Sequence, residues 1–168
     1  MQNKKVNYMD ITNKILSKDK KEYKVEEQRY FIDNNGNRYD VDGKHVIIKS
    51  SVREKEVANI LGDIYGGKIN LVPVVLNPKG IRTPDYIIGE EKFDLKEIFG
   101  NTKNTLDHAI KKKIKQSNNF IFDISKSKIR TNEAIKQIEK IYSNPYRGWI
   151  DKIILIKEDK VLKVYKHK

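Results

Sequence analysis

Residues 83–98 read TPDYIIGEEKFDLKEI, and the folding of this stretch decides how the rest of the chain is organised. Tyr86-Ile87-Ile88 and the Phe93–Leu95 segment are β-formers on either side of Gly89-Glu90-Glu91. The stretch therefore predicts two strands joined by a hairpin turn. Asp94 and Lys96 interrupt the second strand. Residues two apart on a strand share a face, so Asp94 and Lys96 stand side by side while Phe93 and Leu95 face the core. Pairing the strands carries Asp85, directly after Pro84, back beside the far end of the second strand, near Asp94 or Lys96. Two convergent carboxylates make a hard-cation site of the kind Mg²⁺ uses, with waters filling the remaining positions. A neighbouring ammonium can orient or deprotonate a water, or neutralise charge building on a phosphate. The plainer reading is a solvated Asp–Lys ion pair of little energetic weight. Acid-x-Lys triplets do recur in this chain, at Asp19/Lys21, Glu22/Lys24, Asp42/Lys44, Glu90/Lys92 and Glu158/Lys160.

Working outward, "SSVREKEVANILGDIYGG" predicts a helix capped by Ser51 and stopped by Gly66-Gly67. "KINLVPVVL" reads as a strand, followed by a turn at "NPKG". Beyond the hairpin come a helix over "NTLDHAIKKKIKQ", a strand at "NFIFDI", a helix over "TNEAIKQIEKIY", and a closing hairpin turned at Glu158–Lys160. Upstream, Asn-Gly and Asp-Gly pairs between β-formers from Tyr23 to Lys49 predict a small β-meander, and "MDITNKIL" a short helix. The pattern predicts a mixed α/β (α+β) fold with helices on a central mixed sheet. It divides the chain into an appendage of residues 1–49 and a domain of residues 50–168.

Composition narrows the chemistry. Of 168 residues, 35 are Lys or Arg and 23 Asp or Glu, a formal net charge of +12. That excess suits a polyanion, and nucleic acid is the commonest one; a lysine-rich solvated surface is the bland alternative. No cysteine is present, which excludes disulfides, thiol nucleophiles and thiolate zinc sites. His45, His108 and His167 lie far apart in the sequence, which argues against a histidine-built metal centre. No stretch is apolar enough to predict a membrane span.

Pro84-Asp85, eight intervening residues, then Asp94-Leu95-Lys96 resembles the signature of the PD-(D/E)XK nuclease superfamily. The core of that superfamily is a helix, three antiparallel strands, a helix and a strand, an αβββαβ order that the reading of residues 51–124 matches. From "EKEVANIL" through "TPDY", "FDLKEI" and "AIKKKIKQSNNFIFDI" to the final hairpin, residues 50–166 are also similar to CdiA-type C-terminal toxin domains of contact-dependent inhibition. The resemblance implies metal-dependent hydrolysis of phosphodiesters with Mg²⁺ or Mn²⁺, ahead of Zn²⁺. It implies tRNA as substrate, with DNA close behind. A cognate immunity protein is the implied partner, acidic against this basic surface. The site of action would be the cytoplasm of a target cell, after delivery as the C-terminal part of a longer secreted or phage-associated protein.

Superfamily members often add a glutamate from the first helix. Glu54 falls on the apolar stripe of Val57, Ala58, Leu61, Ile64 and Tyr65, whereas Glu56 lies off it, so Glu54 joins Asp85 and Asp94 as a metal candidate. Lys113 sits on the stripe of Leu106, Ala109, Ile110 and Ile114 in the second predicted helix. Some toxin relatives resemble an arrangement in which this helix supplies the lysine, so Lys113 stands beside Lys96 as the catalytic candidate. Gln116 is placed to touch a scissile phosphate, and Lys111, Lys112 and Lys115 to form a phosphate-contacting face. Trp149 with Tyr146 and Arg147 offers base stacking or, more simply, an anchored loop. Three rivals remain open: a metal-independent ribonuclease of the barnase/colicin-like group using His108, Lys or Thr, a basic nucleic-acid-binding module without chemistry, and the same fold serving nicking or junction resolution in DNA processing.

Overall fold

A computed structural model describes residues 6–16, 19–113 and 116–168. The fold is mixed α+β, and the chain divides into two compact units. One, here called the α2 unit, comprises Ser17–Asp94 and Lys115–Ser117; the other, the α4 unit, comprises Met1–Leu16, Leu95–Ile114 and Asn118–Lys168.

The α2 unit is built on helix α2 (Val52–Tyr65). The Ser51 hydroxyl accepts the Glu54 N–H at 3.0 Å, a cap worth about 1 kcal/mol. Gly66 ends the helix at φ +68°, a left-handed conformation that costs glycine little. Val57, Ala58, Leu61 and Ile64 are buried, each large aliphatic side chain contributing roughly 1.5–3 kcal/mol. A methyl group at Gly62 would run into the Tyr23 ring, so this glycine sets how closely α2 lies against strand β2 (Tyr23–Glu27). Strand β2 runs parallel to β6 (Gly67–Leu71), which pairs antiparallel with β8 (Tyr86–Ile88). Strand β8 in turn pairs antiparallel with β9 (Glu91–Glu97), with Tyr86 opposite Phe93. The Tyr65 and Phe93 rings meet at 5.6 Å.

The N-terminal strands correct the β-meander expected over Tyr23–Lys49. Only β3 (Tyr30–Ile32) and β4 (Arg38–Asp40) form a local hairpin; β2 goes to β6, and β5 (Val46–Ile47) pairs with β7 (Val74–Val75). "KINLVPVVL" is likewise not one strand. Pro73 has no N–H to give a ladder, and the chain leaves β6 before it and enters β7 after it. Phe31, Val46, Val72 and Val75 close a small core there.

In the α4 unit the strand order is β1 (Tyr8–Asp10), β12 (Lys160–His167), β11 (Lys152–Lys157), β10 (Asn119–Asp123). Strands β10 and β11 run parallel, while β11–β12 is the expected antiparallel hairpin, turned through Glu158 at φ +56°. Helix α1 (Thr12–Ile15) follows β1. Helices α3 (Thr105–Ile110) and α4 (Thr131–Ser143) cover the core, in which Leu106, Ile110, Phe120, Phe122, Ile138 and Ile153 have no exposed surface. A single 3₁₀ turn, Pro145–Arg147, follows α4. The order helix, three antiparallel strands, helix, strand is thus present as α2, β6–β8–β9, α3 and β10. Among the described residues no helix is long and apolar enough to cross a membrane.

Candidate active site

The β8–β9 pairing brings Asp85 to Asp94. The Asp85 N–H donates to the Phe93 carbonyl at 3.1 Å, and the Asp85 carbonyl accepts the Val72 N–H at 3.1 Å. The backbone of Asp85 is therefore fixed from two sides, directly against the residue preceding Asp94. Asp94 is only 1 % exposed, which excludes the solvated ion pair. Phe93, Asp94 and Leu95 are buried in succession, so both faces of β9 are covered at this point. Asp85 is half-buried.

A buried carboxylate needs partners. Gln116 supplies one, its side-chain amide donating to Asp94 Oδ1 at 3.3 Å and to the Thr83 carbonyl at 2.9 Å. The Ser117 hydroxyl, donating to the Lys92 carbonyl at 2.7 Å, holds the same short segment against β9. On α2, Glu54 is half-buried, whereas Glu56 is exposed and paired with Arg53. The Tyr86 hydroxyl donates to the Glu54 carbonyl at 2.7 Å. Burial pushes the Tyr86 phenol far above its ordinary range, and the negative charges of Asp85 and Glu54 add to this. Arg53 opposes them, and Asp94 contributes in the same direction as the other acids. Three acids from α2, the β8 entry and β9 thus act on one hydroxyl. Among the described residues no three His, Asp or Glu side chains converge as a metal-holding group.

The lysines are distributed differently from expectation. Lys96 is half-buried and lies two residues beyond Asp94 on β9. The second helix is much shorter than its pattern suggested, because α3 stops at Ile110. Lys113 is therefore not on a helical stripe; it follows α3, half-buried, its N–H donating to the Ile110 carbonyl at 3.0 Å. Lys111 and Lys112 are exposed, whereas Lys115 and Ile114 lie outside the described residues. His108 is exposed on α3.

Some contacts had no signal in the sequence. The Gln116–Asp94 hydrogen bond spans 22 positions, and no periodicity links a loop glutamine to a strand carboxylate. Arg147, grouped with Tyr146 and Trp149 as a stacking candidate, instead makes a bidentate pair with Asp107 at 2.8 and 3.0 Å. Trp149 packs edge-on against Phe120 at 5.7 Å, the anchored-loop arrangement.

Comparison with known proteins extends this picture. The family model of the contact-dependent growth inhibition CdiA C-terminal domain matches residues 82–161. That span holds Asp85, Asp94, Lys96, Lys113 and Gln116 and leaves Glu54 outside. Among solved structures, the chain is similar to the CdiA-CT/CdiI toxin and immunity complex from Burkholderia pseudomallei. The identity is 20 % and the TM-score 0.51, over 83 % of this chain and 96 % of that one. At this identity the likeness is one of fold. No curated protein matches the sequence. Residues 82–161, just under half of the chain, thus match the CdiA C-terminal domain family of contact-dependent growth inhibition, and the chain shares its fold with a chain of a CdiA-CT/CdiI complex.

Proposed function

We propose that the chain is a metal-dependent nuclease acting as the toxin domain of a contact-dependent inhibition system. One observation carries the reading: Asp94 is buried in mid-strand, with Asp85 fixed beside it across the pair and a remote glutamine on its carboxylate. A charge kept in such a place is costly unless it is paired or coordinates a metal. The donor set suits a hard cation. Mg²⁺ is satisfied by one or two protein carboxylates with waters completing its shell, so Asp85 and Asp94 suffice, and Glu54 would act through a water. A bound Mg²⁺ or Mn²⁺ would supply Lewis-acid polarisation and charge neutralisation at a phosphodiester.

The protein's own groups do the rest. Gln116 holds the Asp94 carboxylate in one orientation, as outer partners of ligands commonly do. Lys96, or Lys113, presents an ammonium to the attacking water or to the charge growing on the phosphate. Lys111, Lys112 and Lys115 hold the backbone of a polyanion. RNA, and tRNA in particular, is the favoured substrate, with DNA second. The net charge of +12 supports a nucleic-acid substrate and an acidic immunity protein alike. The toxin would work in the cytoplasm of a target cell, as part of a longer secreted protein.

The test is cleavage of purified tRNA and of plasmid DNA, with Mg²⁺ and with EDTA, by wild type and Asp94→Ala. Metal-dependent cleavage that the substitution abolishes supports the reading, and the responsive substrate gives its class. Cleavage surviving both EDTA and the substitution overturns it.

A further inference from the structure

The α4 unit holds a cavity of about 300 Å³ where the start of α3 meets the end of α4 and the Pro145–Arg147 turn. Its apolar lining comes from Ile141, which is buried, and Pro145, which is exposed. Two of its polar side chains, Gln137 and Asp107, are already engaged. Gln137, 5 % exposed, accepts the Leu106 N–H at 3.1 Å and donates to the Thr102 carbonyl at 2.9 Å. Asp107, which would repel an anion, is neutralised by its bidentate pair with Arg147. The rim is cationic: Lys103 and Lys140 are both exposed, and the Lys140 ammonium leans on the Asn104 side-chain oxygen at 3.1 Å. Tyr146 follows Pro145 in the chain and is 82 % exposed, an aromatic ring left in water.

We propose that this cavity is a nucleotide subsite, taking one unpaired nucleotide of the substrate strand. The base enters over Ile141 and Pro145, Tyr146 offers its face for stacking, and the phosphate lies between Lys103 and Lys140. Three observations agree on this occupant. The volume sits at the lower limit of small-molecule sites and suits a single nucleotide. Apolar lining beside two exposed lysines matches a base carrying a phosphate. Gln137 and Asp107 already hold their partners, so stacking and charge rather than base-edge recognition by these two hold the ligand. A base inside a duplex cannot enter a cavity without leaving its stack. The substrate class is therefore single-stranded or looped nucleic acid, as RNA loops present. This inference rests on the nuclease reading for its substrate.

The experiment is a titration of the full chain with the four 5′-nucleoside monophosphates, and separately with inorganic phosphate. Resonances of Tyr146 and Ser143 are followed by NMR, and cleavage of a looped RNA is assayed in parallel. Nucleotides, and not phosphate, are expected to shift both resonances. Lys103→Glu with Lys140→Glu should weaken the nucleotides by about tenfold or more, and Ser143→Trp, which fills the cavity from an exposed helix end, should abolish their binding. Equal shifts with phosphate alone, no shifts, or binding unchanged in both variants overturns the subsite. Nucleotide binding here by a chain that cleaves nothing keeps the subsite and removes the nuclease. Cleavage that Ser143→Trp leaves untouched keeps the nuclease and removes the subsite.

Discussion

Asp94 and Asp123 are two strand aspartates of nearly equal burial, 1 % and 3 % exposed, yet their surroundings differ in kind. Asp123 ends β10, and its Oδ1 accepts both the N–H and the hydroxyl of Ser125, at 3.0 and 2.5 Å. The Ser125 hydroxyl oxygen in turn accepts the Glu158 N–H at 2.6 Å. Asp123 is thus spent on a local turn that ties the strand exit to the β11–β12 hairpin. Asp94 lies inside β9 and is reached by the amide of a residue 22 positions away, with Asp85 held beside it. Burial alone does not tell the two apart. What separates the two is whether the carboxylate satisfies its own backbone turn or is assembled from distant parts of the chain.

That contrast can be broken by substitution. The largest effect is expected for Asp94→Ala, a loss of roughly a hundredfold or more in nucleic-acid cleavage, with thermal unfolding used to show that the fold survives. Gln116→Ala should cost about ten- to a hundredfold in turnover, the usual range for an outer partner of a ligand, together with weaker activation by Mg²⁺. Asp123→Ala should do the reverse. Donors left unsatisfied near the Ser125 turn cost about 2 kcal/mol of stability in urea unfolding, while cleavage by the folded protein is retained. Should Asp123→Ala abolish cleavage in folded protein, the distinction between the two aspartates fails.

The smallest effect concerns a third acid, exposed on the turn before β5. Backbone bonds from Val46 and Lys44, with the His45 side chain, hold the Asp42 carboxyl well below its ordinary value of 3.8. A depressed folded-state pKa contributes stability that is full above that value and is lost as pH falls through the lower, folded one. The stability gap between wild type and Asp42→Ala should therefore be full at neutral pH and shrink on acidification below about 3.8. A gap independent of pH would remove the carboxylate's charge from the account.

Much of this was legible in the residues. Ser51 and Gly66 bracket α2 because a cap and a left-handed stop are local chemistry. The 83–98 stretch declared its hairpin, and with it the approach of Asp85 to Asp94. Parallel pairing was not legible: β2 on β6 joins strands separated by a whole helix, and nothing local specifies it. The end of α3 was missed because the apolar spacing continues past Ile110 and no glycine or proline marks a stop there. The burial of Asp94 follows from what covers the second face of β9, a tertiary fact that alternation along one strand does not contain.

The most direct measurement is a titration of Mn²⁺ into wild type, Asp94→Asn and Asp123→Asn, read by the electron paramagnetic resonance signal of free Mn²⁺. One bound ion is expected in wild type and in Asp123→Asn, with that binding lost in Asp94→Asn. Equal binding in Asp94→Asn, or no binding by a wild type that still cleaves in EDTA, would contradict it.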